Sequence, residues 1–190
     1  MSAFRDCIVS FIDLNDIGRL LRRKSKRGVR IIRELHRLVS SRVHDLNEHE
    51  EVCFWQDSVL LLGLVDTTNA KYCRVMKDVS TLYEAVNGLY PSHVVWIKGQ
   101  SFPAPTIRTF NRKPRAIYLS ASSLAFSNCF EVERKLKRYH ADWYIDSRIT
   151  RKIDARTPDN SAEVKLLPGN VSRPVHMFRG SFVCQPKRRN

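Results

Sequence analysis

Short unbroken apolar runs alternate along this chain with segments whose apolar residues recur every three or four positions. Cys7 to Leu14 is rich in Ile, Val and Phe, which suits a strand buried on both faces. The Asn15, Asp16 and Gly18 cluster that follows supplies helix-capping chemistry. Ile32, Leu35, Val39, Val43 and Leu46 then form one stripe on a helix. Glu51 to Gln56 and Val59 to Val65, parted by Asp57 and Ser58, read as two antiparallel strands joined by a tight turn. Thr67 or Thr68 can cap a second helix, striped by Tyr72, Val75, Met76, Val79, Leu82, Tyr83 and Val86 and ended by Gly88 and Pro91.

His93 to Gly99 reads as a further strand. Gln100 to Arg115, with three prolines, reads as a long surface loop or loose hairpin tip, and Arg115 to Leu119 as a short strand. Ala125, Cys129, Val132, Leu136 and Tyr139 stripe another helix, and Asp142 to Asp146 is strand-like. Beyond a domain of residues 1–150, residues 151–190 read as an irregular extension ending in a basic tail. Edge strands are expected there near Val164 to Leu167 and Val175 to Val183. This order predicts an α+β sandwich, with helices on one face of a mainly antiparallel sheet.

Composition narrows the class. With 190 residues, 43% of them hydrophobic and 27% charged, the chain suits one soluble folded domain, and no apolar run is long enough to span a bilayer. The N-terminal run lacks a small-residue cleavage pattern and reads as a first strand rather than a secretion signal. Five well-separated cysteines without a C-x-x-C pair favour reduced thiols and a cytoplasmic protein. The histidines show no metal spacing with cysteine, and a Gly-rich phosphate loop is lacking. A net charge of +14 calls for an anionic partner, whether nucleotide, nucleic acid or a membrane surface, and seven of the twelve residues from Arg19 to Arg30 are Arg or Lys.

The candidate chemistry begins at Asp13, where the first strand ends. A carboxylate there either caps a helix or holds a divalent cation while the helix amides face phosphate oxygens. Asp57 sits at the turn of the hairpin. If the first two strands are neighbours, both acids reach one edge and repel unless a cation lies between them. The pair therefore points to Mg²⁺ or Mn²⁺.

The run Phe11-Ile12-Asp13-Leu14, the spacing to Asp57, and Trp55-Gln56-Asp57-Ser58-Val59-Leu60-Leu61 resemble the two metal-binding motifs of class III nucleotidyl cyclases. The flavour is closest to the small bacterial pyrimidine cyclases of phage defence. Phe130-Glu131-Val132-Glu133 and Tyr144-Ile145-Asp146 are similar to later segments of that family, so the likeness spans residues 6–146. It implies a ferredoxin-like, palm-type sandwich that converts an NTP to a 3′,5′-cyclic nucleotide and pyrophosphate in antiviral signalling. The resemblance assigns metal binding to Asp13, Asp57 and the carbonyl of Leu14. Nucleotide binding falls to Asn15, Asp16, Ile17, Gly18, Arg19, Arg22, Arg23, Cys53 and Trp55. Asn128 and Arg134 lie nearest the positions that steady the transition state, and a head-to-tail homodimer is implied. Several positions depart from the family's pattern: Asp16-Ile17 replaces Gly-Phe, Gln56 replaces a hairpin Gly, and Cys53 replaces the Lys that reads a purine. Ser127 and Glu131 stand where Asn and Arg are usual. They carry the alternative of a catalytically retired fold that binds nucleotide or nucleic acid through its basic surface.

Overall fold

The computed structural model describes residues 4–66, 68–101, 123, 125–156, 163–166 and 174–187. Strand β1 (Arg5–Leu14) leads through α1 (Ile17–Arg23) and α2 (Ser25–Arg42) to the hairpin β2 (His49–Trp55) and β3 (Ser58–Leu64). Helix α3 (Asn69–Leu89), β4 (Ser92–Ser101), α4 (Ala125–Leu136), β5 (Trp143–Asp146) and the short α5 (Ser147–Thr150) follow. The C-terminal stretch supplies β6 (Ile153–Arg156), β7 (Glu163–Leu166), β8 (Pro174–Phe178) and β9 (Val183–Pro186). The expected strand from Arg115 to Leu119, and the loop before it beyond Ser101, lie outside the described residues.

Seven strands form one sheet in the order β2-β3-β1-β4-β5-β8-β7. The central strand β1 pairs antiparallel with both β3 and β4, and β4 with β5 is the one parallel pair among the described strands. The α+β class and the mainly antiparallel sheet match the sequence reading. The helices do not keep to one face, which corrects that part of it. Ile8 and Ile12 of β1 pack with Ile31, Leu35 and Val39 of α2 and with Val75, Met76 and Val79 of α3. Cys7, Val9 and Phe11, on the opposite side, pack with Phe126, Cys129, Val132 and Leu136 of α4. The physical reason is in β1 itself: every position from Cys7 to Leu14 is buried, so both faces need cover.

Two glycines permit the close approach. A Cβ at Gly63 on β3 would lie 2.6 Å from Val75 of α3, and one at Gly99 on β4 would lie 2.5 Å from Ala125 of α4. Helix α3 begins as predicted: the Thr68 hydroxyl accepts the Lys71 amide at 3.4 Å. The expectation of reduced thiols is corrected at one pair. Cys73 on α3 and Cys184 on β9 form a disulfide across 111 positions, brought together because the two-stranded β6–β9 sheet folds back on α3. Cys7, Cys53 and Cys129 are free. Among the described residues, no helix is long and apolar enough to cross a membrane.

The packing of β3 on α3 predicts that Gly63→Ala destabilises the fold by about 1 to 3 kcal/mol, because the β-branched Val75 and the Glu48 carbonyl at 3.1 Å cannot both give way. Urea unfolding midpoints check this; an unchanged midpoint contradicts the close approach.

Candidate functional site

The sheet register lays four residues in a row across four strands. Trp55 pairs with Ser58, Ser58 with Asp13, and Asp13 with His93. Directly opposed residues project to the same face of a sheet. Here it is the face that α4 covers, since Phe11 and Val9 share the parity of Asp13.

Asp13 is 6% exposed. The Ser58 hydroxyl donates to its Oδ1 at 2.6 Å, and the Lys137 ammonium, in the 3₁₀ turn that continues α4, donates to Oδ2 at 3.1 Å. Lys137 also pairs with Glu133 at 3.0 Å, four positions earlier on the same helical face. Burial pushes the Asp13 carboxyl above its ordinary value, against the pull of the Ser58 hydrogen bond and the Lys137 charge. Burial works against the Lys137 ammonium, but the Asp13 and Glu133 carboxylates outweigh it and hold the amine protonated well above its usual range.

His93 is 2% exposed. Its Nδ1 lies 2.7 Å from the Asn15 side-chain oxygen, while its Nε2 is buried and has no hydrogen-bond partner among the described residues. Tyr144 of β5 packs edge-on against the imidazole, with ring centroids 5.6 Å apart. The Tyr144 hydroxyl donates to the Leu136 carbonyl at the end of α4, which ties the sheet to the turn carrying Lys137. One oxygen each of Asp13 and Glu133 and a ring nitrogen of His93 lie within 4.8 Å of one another, a group of donors that can hold a metal ion.

Asp57 occupies the two-residue turn between β2 and β3, half-buried. Its carbonyl accepts the Leu14 amide at 3.3 Å. Burial and then the Asp13 charge raise its carboxyl pKa. Gln56 in the same turn adopts a φ of 53°, and Asp16 before α1 one of 54°. Both positions that depart from the family's glycines thus keep the left-handed backbone that glycine favours. The His36 imidazole, 2.8 Å from the Gln56 carbonyl, buttresses the turn.

The other predicted residues divide. Asn15 is committed to His93 and, through its amide, to the Pro91 carbonyl at 2.8 Å. The Ile17 side chain is 1% exposed in the core, so what this position offers a nucleotide is its backbone at the start of α1. The Leu14 side chain is likewise core. Gly18, Arg19, Arg22 and Arg23 lie exposed on α1. Cys53 is half-buried beneath the α4 face, and Trp55, 47% exposed, approaches Phe130 with ring centroids 6.1 Å apart. Asn128 is half-buried and Arg134 exposed. Around the helix they stand about 140° and about 100° from Glu133, so within one chain α4 presents Glu133 and Lys137 to Asp13 in their place. Sequence reasoning missed His93, Glu133 and Lys137. The signal was there in part: Glu133 and Lys137 are spaced i,i+4 beside the apolar stripe, and His93 opens the strand next to the one carrying Asp13. Asp146, by contrast, is structural, accepting the Arg148 guanidinium and capping α5.

No family model matches this sequence, and no curated protein matches it either. Solved structures do. A bacterial light-regulated adenylyl cyclase aligns over 93% of this chain and 91% of its own, with a TM-score of 0.57 at 8% identity. The guanylyl cyclase Cya2 aligns over 92% and 91%, with 0.52 at 12% identity. The adenylyl cyclase CyaB from P. aeruginosa aligns over 98% and 97%, with 0.53 at 12% identity. The chain has the class III cyclase fold. That fold was expected from the Asp13 and Asp57 motifs, and in it the acids sit at the end of the central strand and at the neighbouring hairpin turn.

The buried imidazole gives the cyclase fold a pH dependence. Burial pushes His93 down to about 4 from 6.5, so between those values the unfolded chain binds a proton that the folded chain does not, and stability is lost as pH falls through that window. With EDTA present, the wild type should lose about 2 kcal/mol relative to His93→Gln between pH 7 and pH 5. Urea midpoints at the two pH values measure it; parallel behaviour of the two proteins would show that His93 is not buried neutral.

Proposed function

We propose that this chain is a divalent-metal-dependent nucleotidyl cyclase. The observation that carries the reading is the placement of two acids on adjoining elements of a cyclase fold: Asp13 ends the central strand in register with Ser58, and Asp57, next to Ser58 in the hairpin turn, accepts the Leu14 amide through its carbonyl. Asp13 also lies, with Glu133, within 4.8 Å of a ring nitrogen of the buried His93, whose Nε2 has no hydrogen-bond partner among the described residues, a donor set suited to a cation. Asp13, Asp57 and the carbonyl of Leu14 would hold Mg²⁺ or Mn²⁺. When bound, the ion supplies the charge neutralisation that attack of a ribose 3′-hydroxyl on the α-phosphate, with departure of pyrophosphate, requires.

The chain's own residues do the positioning. Arg19, Arg22 and Arg23, exposed on α1, offer guanidinium donors to a triphosphate. Trp55 offers an exposed aromatic face to a base, and Cys53, on the same face of β2, gives a purine no lysine to read it. We therefore favour a pyrimidine NTP, with a role in antiviral signalling as in the cyclases that the Asp57-Ser58 hairpin resembles. Asn128 and Arg134 turn away from Asp13 in their own chain, so their use requires a second copy, in a head-to-tail homodimer.

One contact favours a second reading, a fold that binds nucleotide or nucleic acid without turnover: the Lys137 ammonium already sits on Asp13.

Incubation of the folded protein with each NTP and Mn²⁺, followed by chromatography, should give a cyclic nucleotide and pyrophosphate from at least one of them. Asp57→Asn should lower the rate about 100-fold or more, as expected for loss of a metal carboxylate. Absence of cyclic product from all four NTPs rejects the cyclase reading. Nucleic-acid binding that falls steeply with salt would then support the second.

A further inference from the structure

Three side chains from three elements meet where only Asp13 was expected. Asp13 ends β1, His93 begins β4 beside it in register, and Glu133 reaches over from α4. Their donor atoms lie within 4.8 Å of one another. Ligands bound to one ion at about 2.0 to 2.2 Å stand roughly 3 to 4.4 Å apart, so a small inward shift closes the group on a metal.

Two further observations point to a cation. His93 is 2% exposed and its Nε2 has no partner among the described residues, an arrangement that is costly in a buried polar atom unless a ligand completes it. With Nδ1 held by Asn15, the lone pair of a neutral imidazole is left on Nε2, the usual state of a metal-binding histidine with an oriented ring. The second observation is Lys137. Its ammonium contacts Asp13 at 3.1 Å and Glu133 at 3.0 Å, a positive charge on the same two carboxylates that would ligate an ion. The side chain is 36% exposed at the end of α4, so it can swing out into solvent without breaking the core.

We infer that Asp13, His93 and Glu133 bind one divalent transition-metal ion of the Mn²⁺ class, and that the Lys137 ammonium is a tethered cation which this ion displaces. An imidazole in the set favours Mn²⁺ over Mg²⁺, which prefers oxygen ligands in a near-ideal octahedron. The site shares Asp13 with the cyclase reading and deepens it, but it is complete in one chain and is tested without nucleotide.

Mn²⁺ is titrated into the full chain, free ion is counted from its electron paramagnetic resonance signal, and Mg²⁺ is added as competitor. One Mn²⁺ per chain is expected. Glu133→Gln should weaken it about tenfold or more, as loss of a ligand does. Lys137→Met should tighten it about three- to fivefold, the scale of a half-exposed ion pair. His93→Gln should erase the preference for Mn²⁺ over Mg²⁺. If that variant does not fold, the two half-exposed helix positions decide. Absence of binding without nucleotide, or affinities unchanged in both Glu133→Gln and Lys137→Met, overturns the inference. Mn²⁺ binding without cyclic product from any NTP leaves this site standing and removes the cyclase; cyclic product with unaltered Mn²⁺ affinity in both variants does the reverse.

Discussion

A carboxylate held 6% exposed at the end of a strand with apolar neighbours on both sides cannot stay charged unless donors surround it. At Asp13 the donors come from two directions. Ser58 reaches across the sheet from β3, and Lys137 reaches down from the end of α4. The first depends on the β1–β3 register and the second on where α4 crosses the sheet. A slip of one residue in that register would turn Asp13 to the α2–α3 face and lose both donors.

The packing that fixes α4 is therefore part of the site. Gly99 lets α4 approach β4, Cys129 and Val132 fill the face above Val9 and Phe11, and Tyr144 pins the helix end through the Leu136 carbonyl. The opposite face is held independently by α2 and α3, with α3 stapled to the C-terminal β9 by Cys73 and Cys184. One layer secures β1, and the other brings charge to its end. Backbone strain at Asp16 and Gln56 follows the same logic. Each left-handed residue costs about 1 kcal/mol or more and persists because its surroundings fix it. The Leu14 amide on Asp57 and the His36 ring beside the Gln56 carbonyl tie the hairpin turn to β1 and α2.

Much of this was readable from residues alone. The unbroken apolar run of β1, the stripe on α3, the tight turn at Asp57 and the acid at the end of the first strand are local patterns, and periodicity and turn chemistry report local structure directly. Even the cover on both faces was implicit in β1, although the element order suggested helices on one side only. The placement of the Asp57 turn beside the end of β1 could be anticipated because a two-residue hairpin allows few arrangements of its strands.

His93, Glu133 and Lys137 could not be placed that way. Each is ordinary in its own segment: a polar residue opening a strand, and two charges on the flank of an amphipathic helix. They acquire chemistry only when β4 aligns His93 with Asp13 and α4 lies across that strand end. The Cys73–Cys184 bond is of the same kind, joining segments 111 positions apart. The sequence by itself determined the strand, its acid and the hairpin that answers it, because those depend on neighbours a few residues away. Only the tertiary structure decided which charges surround that acid, because burial and pairing depend on elements that meet across the whole chain.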